Sequence, residues 1–287
     1  NGVSLENIEF IGSKTGVALD ISSSIAELTN ITCTDSKNTD IQVKRGSKVT
    51  LNTHTKHSKG INYDLITVQN TGEAPNEIIN LSKFYKTPGK ETVNNGVTNK
   101  QYQSIIKEVS TLDEFLKYIS SDGTIIKFEN DITVDDQNPI QSIAGTKNGQ
   151  INIGKNVTID GNNHTLNLNK LACLILKGNK ITIKDLEVVN SNSYGMNIYN
   201  SRDVILENIA VRNSLSHGIF VNGSIVDIKN FKTASNGAEG MKITKSTGLE
   251  NSSDSKVTLT GDKNKQQESD IDVIVDTLKA TPSTTTT

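Results

Sequence analysis

ITIKDLEVVNSNSYGMNI (181–198), VILENIAVRNSLSHGIFV (204–221) and VDIKNFKTASNGAEGMKI (226–243) are three copies of one unit. Leu186, Ile209 and Phe231 correspond in them, as do Gly195, Gly218 and Gly240, with steps of 23 and then 22 residues. A period of this size marks a stack of one supersecondary unit, in which each copy buries its apolar face against the next. Within a copy, Ile181, Ile183, Leu186 and Val188 alternate with polar residues, and Met196 and Ile198 alternate after a polar stretch. Period two is the strand signal, since successive side chains leave opposite faces of a strand. Asn, Ser, Gly and Asp separate the runs, and these residues tolerate tight or left-handed corners. The pattern predicts an all-β chain, a parallel β-helix whose coils rise about 4.8 Å each. A leucine-rich repeat is the competing solenoid. It fits less well, because the matching positions mix Ile, Val, Leu, Phe and Met and the second half of each unit reads as a strand.

Parallel stacking sets equivalent positions side by side. Asp185, Asn208 and Asn230 form one column and Lys184, Glu207 and Lys229 the next. The first predicts an amide ladder and the second alternating charge, both stabilising in an in-register stack.

Composition agrees with a thin core. Of 287 residues, 33% are hydrophobic and 4% aromatic, with no Trp. Short strands contributing Ile, Leu and Val supply such a core. A net charge of −2, with arginine only at Arg45, Arg202 and Arg212, argues against a nucleic-acid partner. No apolar stretch reaches the length of a membrane span, so no membrane insertion is expected. Cys33 and Cys173 occupy non-equivalent positions and predict no disulfide. Cys33 alternates with Ile31 and is expected to face the core. His54, His57 and His164 show no metal-ligand spacing. No cofactor and no metal are expected.

A longer repeat overlies the short one. VSLENIEF from Val3 matches VILENIAV from Val204, SKVTL from Ser47 matches SKVTL from Ser255, and DLITV from Asp64 matches DVIVD from Asp272. The pattern predicts the C-terminal part of a first β-helix module at 1–85, a linker at 86–107 and a second module at 108–277. A Thr/Pro-rich spacer is expected at 278–287. Residue 1 then falls inside a module, as in a piece of a longer tandem protein, with an uncovered and association-prone edge at residues 1–20. Before the second module, STLDEFLKYISSDG predicts a helix at 111–121: Thr111 and Glu114 suit a capping box, and Leu112, Phe115, Leu116 and Ile119 share one face. Such a helix would cover the open end of the solenoid.

LDEFLKYI, TIIKFENDITV from Thr124, NVTIDGNNHTLNL from Asn156 and the coils that follow resemble the pectate-lyase-like adhesive domain of Gram-positive bacterial surface proteins, over about residues 108–245. The resemblance implies a right-handed parallel β-helix with a short N-terminal capping helix on the second module. It also implies an extracellular location on the bacterial cell surface and adhesion to host or plant-derived glycans, with a polysaccharide or glycoprotein as partner and adjacent modules in the same chain.

β-Helices also carry polysaccharide lyases and glycoside hydrolases. A lyase needs carboxylates converging on Ca²⁺ and a basic residue, and a hydrolase needs paired carboxylates across the glycosidic bond. Asp160, Asp185, Asp203 and Asp227 do not fall at adjacent positions of adjacent coils. Asp135-Asp136 is the one sequential pair and reads as a loop. The expected function is therefore non-catalytic adhesion, with a lyase or hydrolase as one alternative and a structural spacer as another. The residues most suited to contact a ligand are Tyr194, His217 and Glu239, each before a corner glycine, together with Arg212.

Overall fold

The computed structural model describes residues 2–11, 16–36, 39–60, 65–71, 74–135, 149–244, 255–261, 265–266, 274–275 and 284–286. The chain divides into two compact units, Asn1–Ile106 and Lys107–Thr287. Each unit is an all-β parallel solenoid, with about nine turns in all and two helices among the described residues.

The first unit runs β1 (Gly2–Ile11), β2 (Val17–Ser22), β3 (Ile25–Ser36), β4 (Thr39–Lys44), β5 (Lys48–Leu51), β6 (Lys56–Gly60), β7 (Leu65–Asn70) and β8 (Glu77–Ile79). Then come a four-residue helix α1 (Leu81–Phe84), β9 (Tyr85–Asn94) and β10 (Val97–Ser104). Strands β1, β3, β5 and β8 form one parallel sheet, and β2, β4 and β7 begin another. On β7 the direction reverses: β10 pairs with it antiparallel, and β9 pairs antiparallel with β10. The segment expected as a linker, 86–107, thus holds most of a hairpin turned at Asn95 and Gly96, both at positive φ. Asn-Gly is the pair that a two-residue hairpin turn requires.

Strand β11 (Ile106–Val109) starts at the division. The second unit continues with α2 (Leu112–Tyr118), β12 (Thr124–Phe128), β13 (Ile132–Thr133), β14 (Gln150–Ile153), β15 (Val157–Asn167) and β16 (Cys173–Leu176). The repeated coils follow: β17 (Ile181–Val189), β18 (Met196–Tyr199), β19 (Val204–Arg212), β20 (Ile219–Asn222), β21 (Ile225–Ala234) and β22 (Met241–Thr244). Beyond them lie β23 (Lys256–Thr260), β24 (Lys265–Gln266), β25 (Ile274–Val275) and β26 (Thr284–Thr286). Two parallel sheets result, the longer through β12, β15, β17, β19, β21 and β23 and the shorter through β14, β16, β18, β20 and β22. Most of the expected spacer, 278–287, lies outside the described residues, while Thr284–Thr286 pairs in parallel with Val257–Leu259.

The register follows from the repeat. Ile181 pairs with Val204 and Val204 with Val226, and the next step carries Val226 to Val257. Each long strand contains a bend. Asp185, Asn208 and Asn230 have φ of 51°, 53° and 60°. A left-handed residue shifts the in–out alternation by one position, so Ile183 and Leu186, three apart, both face inward. Asn and Asp accept this conformation more readily than other non-glycine residues. Their side chains join the coils: Asn208 Nδ2 donates to Asp185 Oδ1 at 2.7 Å and Asn230 Nδ2 to Asn208 Oδ1 at 2.9 Å. The first unit does the same with Asn30 Nδ2 and Asn7 Oδ1, at 3.0 Å. The charge column is resolved more finely than its spacing implied. Lys229 pairs with Glu207 at 2.6 Å, but Lys184 turns to Asp160, one coil earlier, at 2.7 Å. The Asp160 carboxylate raises the Lys184 pKa above its usual value.

A buried serine column lines another corner. Ser224 Oγ accepts from Ser201 N at 3.0 Å, and Ser255 Oγ from Ser224 N at 3.1 Å. Ser47 Oγ accepts from Ser24 N at 3.2 Å, so the two SKVTL strings begin on the same corner residue.

Each unit has its own apolar core. Cys33 is fully buried in the first. In the second, α2 carries the full capping box. Glu114 N donates to Thr111 Oγ1, and Glu114 Oε2 accepts from Thr111 N and Ser110 N. Its Phe115 ring packs edge-on against Phe128 of β12, 5.2 Å between centroids. Leu112, Leu116 and Ile119 join the same core.

Candidate functional site

The corners before β18, β20 and β22 carry Tyr194-Gly195, His217-Gly218 and Glu239-Gly240. The backbone ladder runs through these corners: Gly195 N donates to His217 O at 3.1 Å and Gly218 N to Glu239 O at 3.0 Å. The glycines are needed for closeness. A Cβ on Gly218 would sit 2.6 Å from Gly240 O, and one on Gly195 would sit 2.7 Å from Gly218 O. Consecutive corners are therefore locked in register, and the residues preceding the glycines form a column.

The column is in contact along its length. The Tyr194 and His217 rings stack with 5.6 Å between centroids and 13° between planes. Phe220, on the outward side of β20, completes the group, 4.8 Å from Tyr194 and 5.8 Å from His217. His217 Nδ1 meets Glu239 Oε2. Lys242 is the register neighbour of Phe220 on β22. The side chains of His217 and Glu239 are only 12% and 17% exposed. Three of the four residues expected at the site, Tyr194, His217 and Glu239, thus come together. Arg212 takes another partner, its Nε lying 2.9 Å from Glu187 Oε1. Phe220 and Lys242 went unnoticed in the sequence. Their signal was the outward strand position two residues beyond the corner glycine.

Burial is the main influence on His217 and lowers its pKa from 6.5; Lys242 acts in the same direction, while the charge and hydrogen bond of Glu239 oppose it. The lowered pKa favours the neutral imidazole, whose Nδ1 lies against the Glu239 carboxylate. Because its folded pKa is the lower one, the folded state binds fewer protons than the unfolded state between the two values. The contribution to stability is fully present above pH 6.5 and is lost as pH falls from there to the folded pKa. An NMR titration should place the His217 midpoint below 6.5, and His217→Gln should flatten the stability loss as pH falls below about 6.5. A midpoint above 6.5 would show that Glu239 outweighs burial.

Two of the carboxylates considered for catalysis have structural partners: Asp160 binds Lys184, and Asp185 accepts from Asn208. Asp136 lies outside the described residues. Among the described residues no three His, Cys, Asp or Glu side chains gather as a metal site. Burial pushes the Cys173 thiol up to about 11, which makes it unreactive at neutral pH.

Residues 106–214 match the family described as "Putative pectate lyase-like adhesive domain". The matched stretch includes α2, the first coils of the second unit and Tyr194. It stops short of His217, Phe220, Glu239 and Lys242. No curated protein matches the chain. Among solved structures, tailspike protein 2 of Escherichia coli O157:H7 bacteriophage CAB120 is 12% identical, with a TM-score of 0.24, over 91% of this chain and 38% of the tailspike. The periplasmic alginate epimerase AlgG is 9% identical, with a TM-score of 0.22, over 93% of this chain and 74% of the epimerase. The chain thus spans 38% of the tailspike's length. Neither likeness is close enough to carry an argument about this chain.

Proposed function

We propose that the second unit is a non-catalytic adhesion module of a bacterial cell-surface protein, binding glycans through the column Tyr194, His217, Phe220, Glu239 and Lys242. The observation behind this is the three-ring cluster with a carboxylate and an ammonium held in register beside it. A sugar offers apolar C–H faces and a rim of hydroxyls. Partly exposed rings match the first, and Glu239 and Lys242 offer an acceptor and a donor for the second. Rigid placement on adjacent coils lowers the ordering cost of binding. A column along a solenoid also suits a polymer, and adjacent modules raise avidity where single contacts are weak. The adhesive-domain match supports the same reading.

A glycan array probed with the full chain should show binding that Tyr194→Ala and Phe220→Ala each weaken about tenfold, the loss of roughly 1.4 kcal/mol of ring contact. No binding to any glycan would favour a spacer. Unsaturated product from polygalacturonate with Ca²⁺, abolished by His217→Ala, would establish the lyase reading instead.

A further inference from the structure

Tyr199 is a further aromatic residue on the face that carries the ring column. The shorter sheet presents outward Asn197 and Tyr199 on β18, Phe220 and Asn222 on β20, and Lys242 and Thr244 on β22. The register sets Asn197, Phe220 and Lys242 in one row and Tyr199, Asn222 and Thr244 in the next. Tyr199 is half-buried. It stands one coil and two residues from Phe220, about 8 Å away on the usual spacings between and along parallel strands. Neighbouring sugars of one chain can bridge such a gap.

Beside Tyr199 the face turns basic. Lys177 Nζ lies 5.9 Å from the centre of the Tyr199 ring. Lys177 opens the corner between β16 and β17, and Lys180 closes it. The corner of the preceding coil lies directly against this one, since a Cβ on Gly178 would sit 2.8 Å from Lys155 N. On the following coil, Arg202 O accepts from Lys180 N at 3.0 Å. Lys155, Lys177 and Lys180 are exposed, and among the described residues none of them forms an ion pair. The register brings Asp203 beside Lys180, and Asp122 adjoins Gly123, whose N–H donates to Asn156 O. Four cations against these two carboxylates leave the corner positive. Arg202 Nη1 donates to Gly223 O at 2.7 Å and to Ser201 O at 2.9 Å. Those bonds fix the guanidinium and occupy one arm of the planar fork that suits a carboxylate. The lysines supply point charges instead, and these match the three terminal oxygens of a sulfate or phosphate ester.

We propose that the glycan site continues into a second subsite, where Tyr199 stacks on a sugar and Lys155, Lys177 and Lys180 hold a sulfate or phosphate ester on it. The ligand is then an anionic oligosaccharide that spans both ring groups, with its ester at the corner and its neighbouring sugar on Tyr194 and Phe220. This rests on the glycan-binding reading of the column. Charge complementarity selects the occupant, because the chain as a whole carries a net charge of −2 and its attraction for a polyanion is confined to this corner.

Affinity electrophoresis of the full chain at low salt tests this, in gels holding dextran, dextran sulfate, a phosphomannan or polygalacturonate. Dextran sulfate or the phosphomannan should bind at least about tenfold more tightly than dextran and polygalacturonate, and added salt should reduce the difference. The two ester polymers show which ester the corner takes. Tyr199→Ala and Lys177→Glu should each weaken that binding about tenfold, while Lys232→Glu, on the longer sheet, should leave it unchanged. Equal binding to polygalacturonate, or equal loss with Lys232→Glu, would overturn the proposal by reducing it to general charge attraction. Binding that Tyr194→Ala weakens and Tyr199→Ala does not would overturn the second subsite and leave the column intact. Binding to neither ester polymer would overturn it too, and glycan-array binding would then show that the column's own role survives.

Discussion

Replacing Phe115 by alanine should destabilise the second unit by about 3–5 kcal/mol, the usual cost of deleting a buried Phe side chain. The position has little room for repair. Phe115 is fully buried and packs edge-on against Phe128, which is also fully buried. Both belong to the core that runs on through the coils. The ring sits on a helix fixed at its start by a capping box, so α2 cannot slide inward without losing the bonds of Thr111 and Glu114. The void would therefore persist and add to the lost transfer energy. Urea denaturation of the full chain, followed by amide exchange in β12 and β15, measures this. A loss below about 1 kcal/mol would mean that the end of the solenoid does not depend on the helix.

The repeat made the coils legible because its signal is redundant. Leu186, Ile209 and Phe231 agree with Ile181, Val204 and Val226 on one register, and the pairing is the one observed. The ladder of Asp185, Asn208 and Asn230 was equally readable, since in-register stacking sets these side chains next to one another. Lys184 was harder to assign. Its choice of Asp160 depends on β15, where the register shifts between Asp160 and His164. That shift breaks the 22–23-residue spacing on which the alignment rests. The hairpin of β9 and β10 escaped for another reason. Its Asn95-Gly96 turn is a strong signal, but Glu91, Thr92, Asn94, Asn99, Lys100 and Gln101 give its strands no apolar alternation. Phe220 escaped because alternation marks inward residues, and outward ones carry no periodic signature.

Gly218→Ala should cost about 3 kcal/mol, at the upper end of the range for inserting one methyl into a packed site, because the obstacle is backbone. The added carbon would lie 2.6 Å from Gly240 O and 2.8 Å from Asn236 Nδ2. A side chain in the way could rotate, whereas a carbonyl in a parallel ladder moves only with its coil. Opening that gap strains the bonds from Gly218 N to Glu239 O and from Ile219 N to Gly240 O, now 3.0 and 2.9 Å. It also shifts His217 against Glu239 and Tyr194, so the ring column loses its geometry with the fold. Urea denaturation should show the loss, and near-ultraviolet circular dichroism should show the Tyr194 environment changing under native conditions. A stability change under about 1 kcal/mol with an unaltered aromatic signal would mean that the coils have slack at this corner. The column could not then be the rigid surface that its proposed role requires.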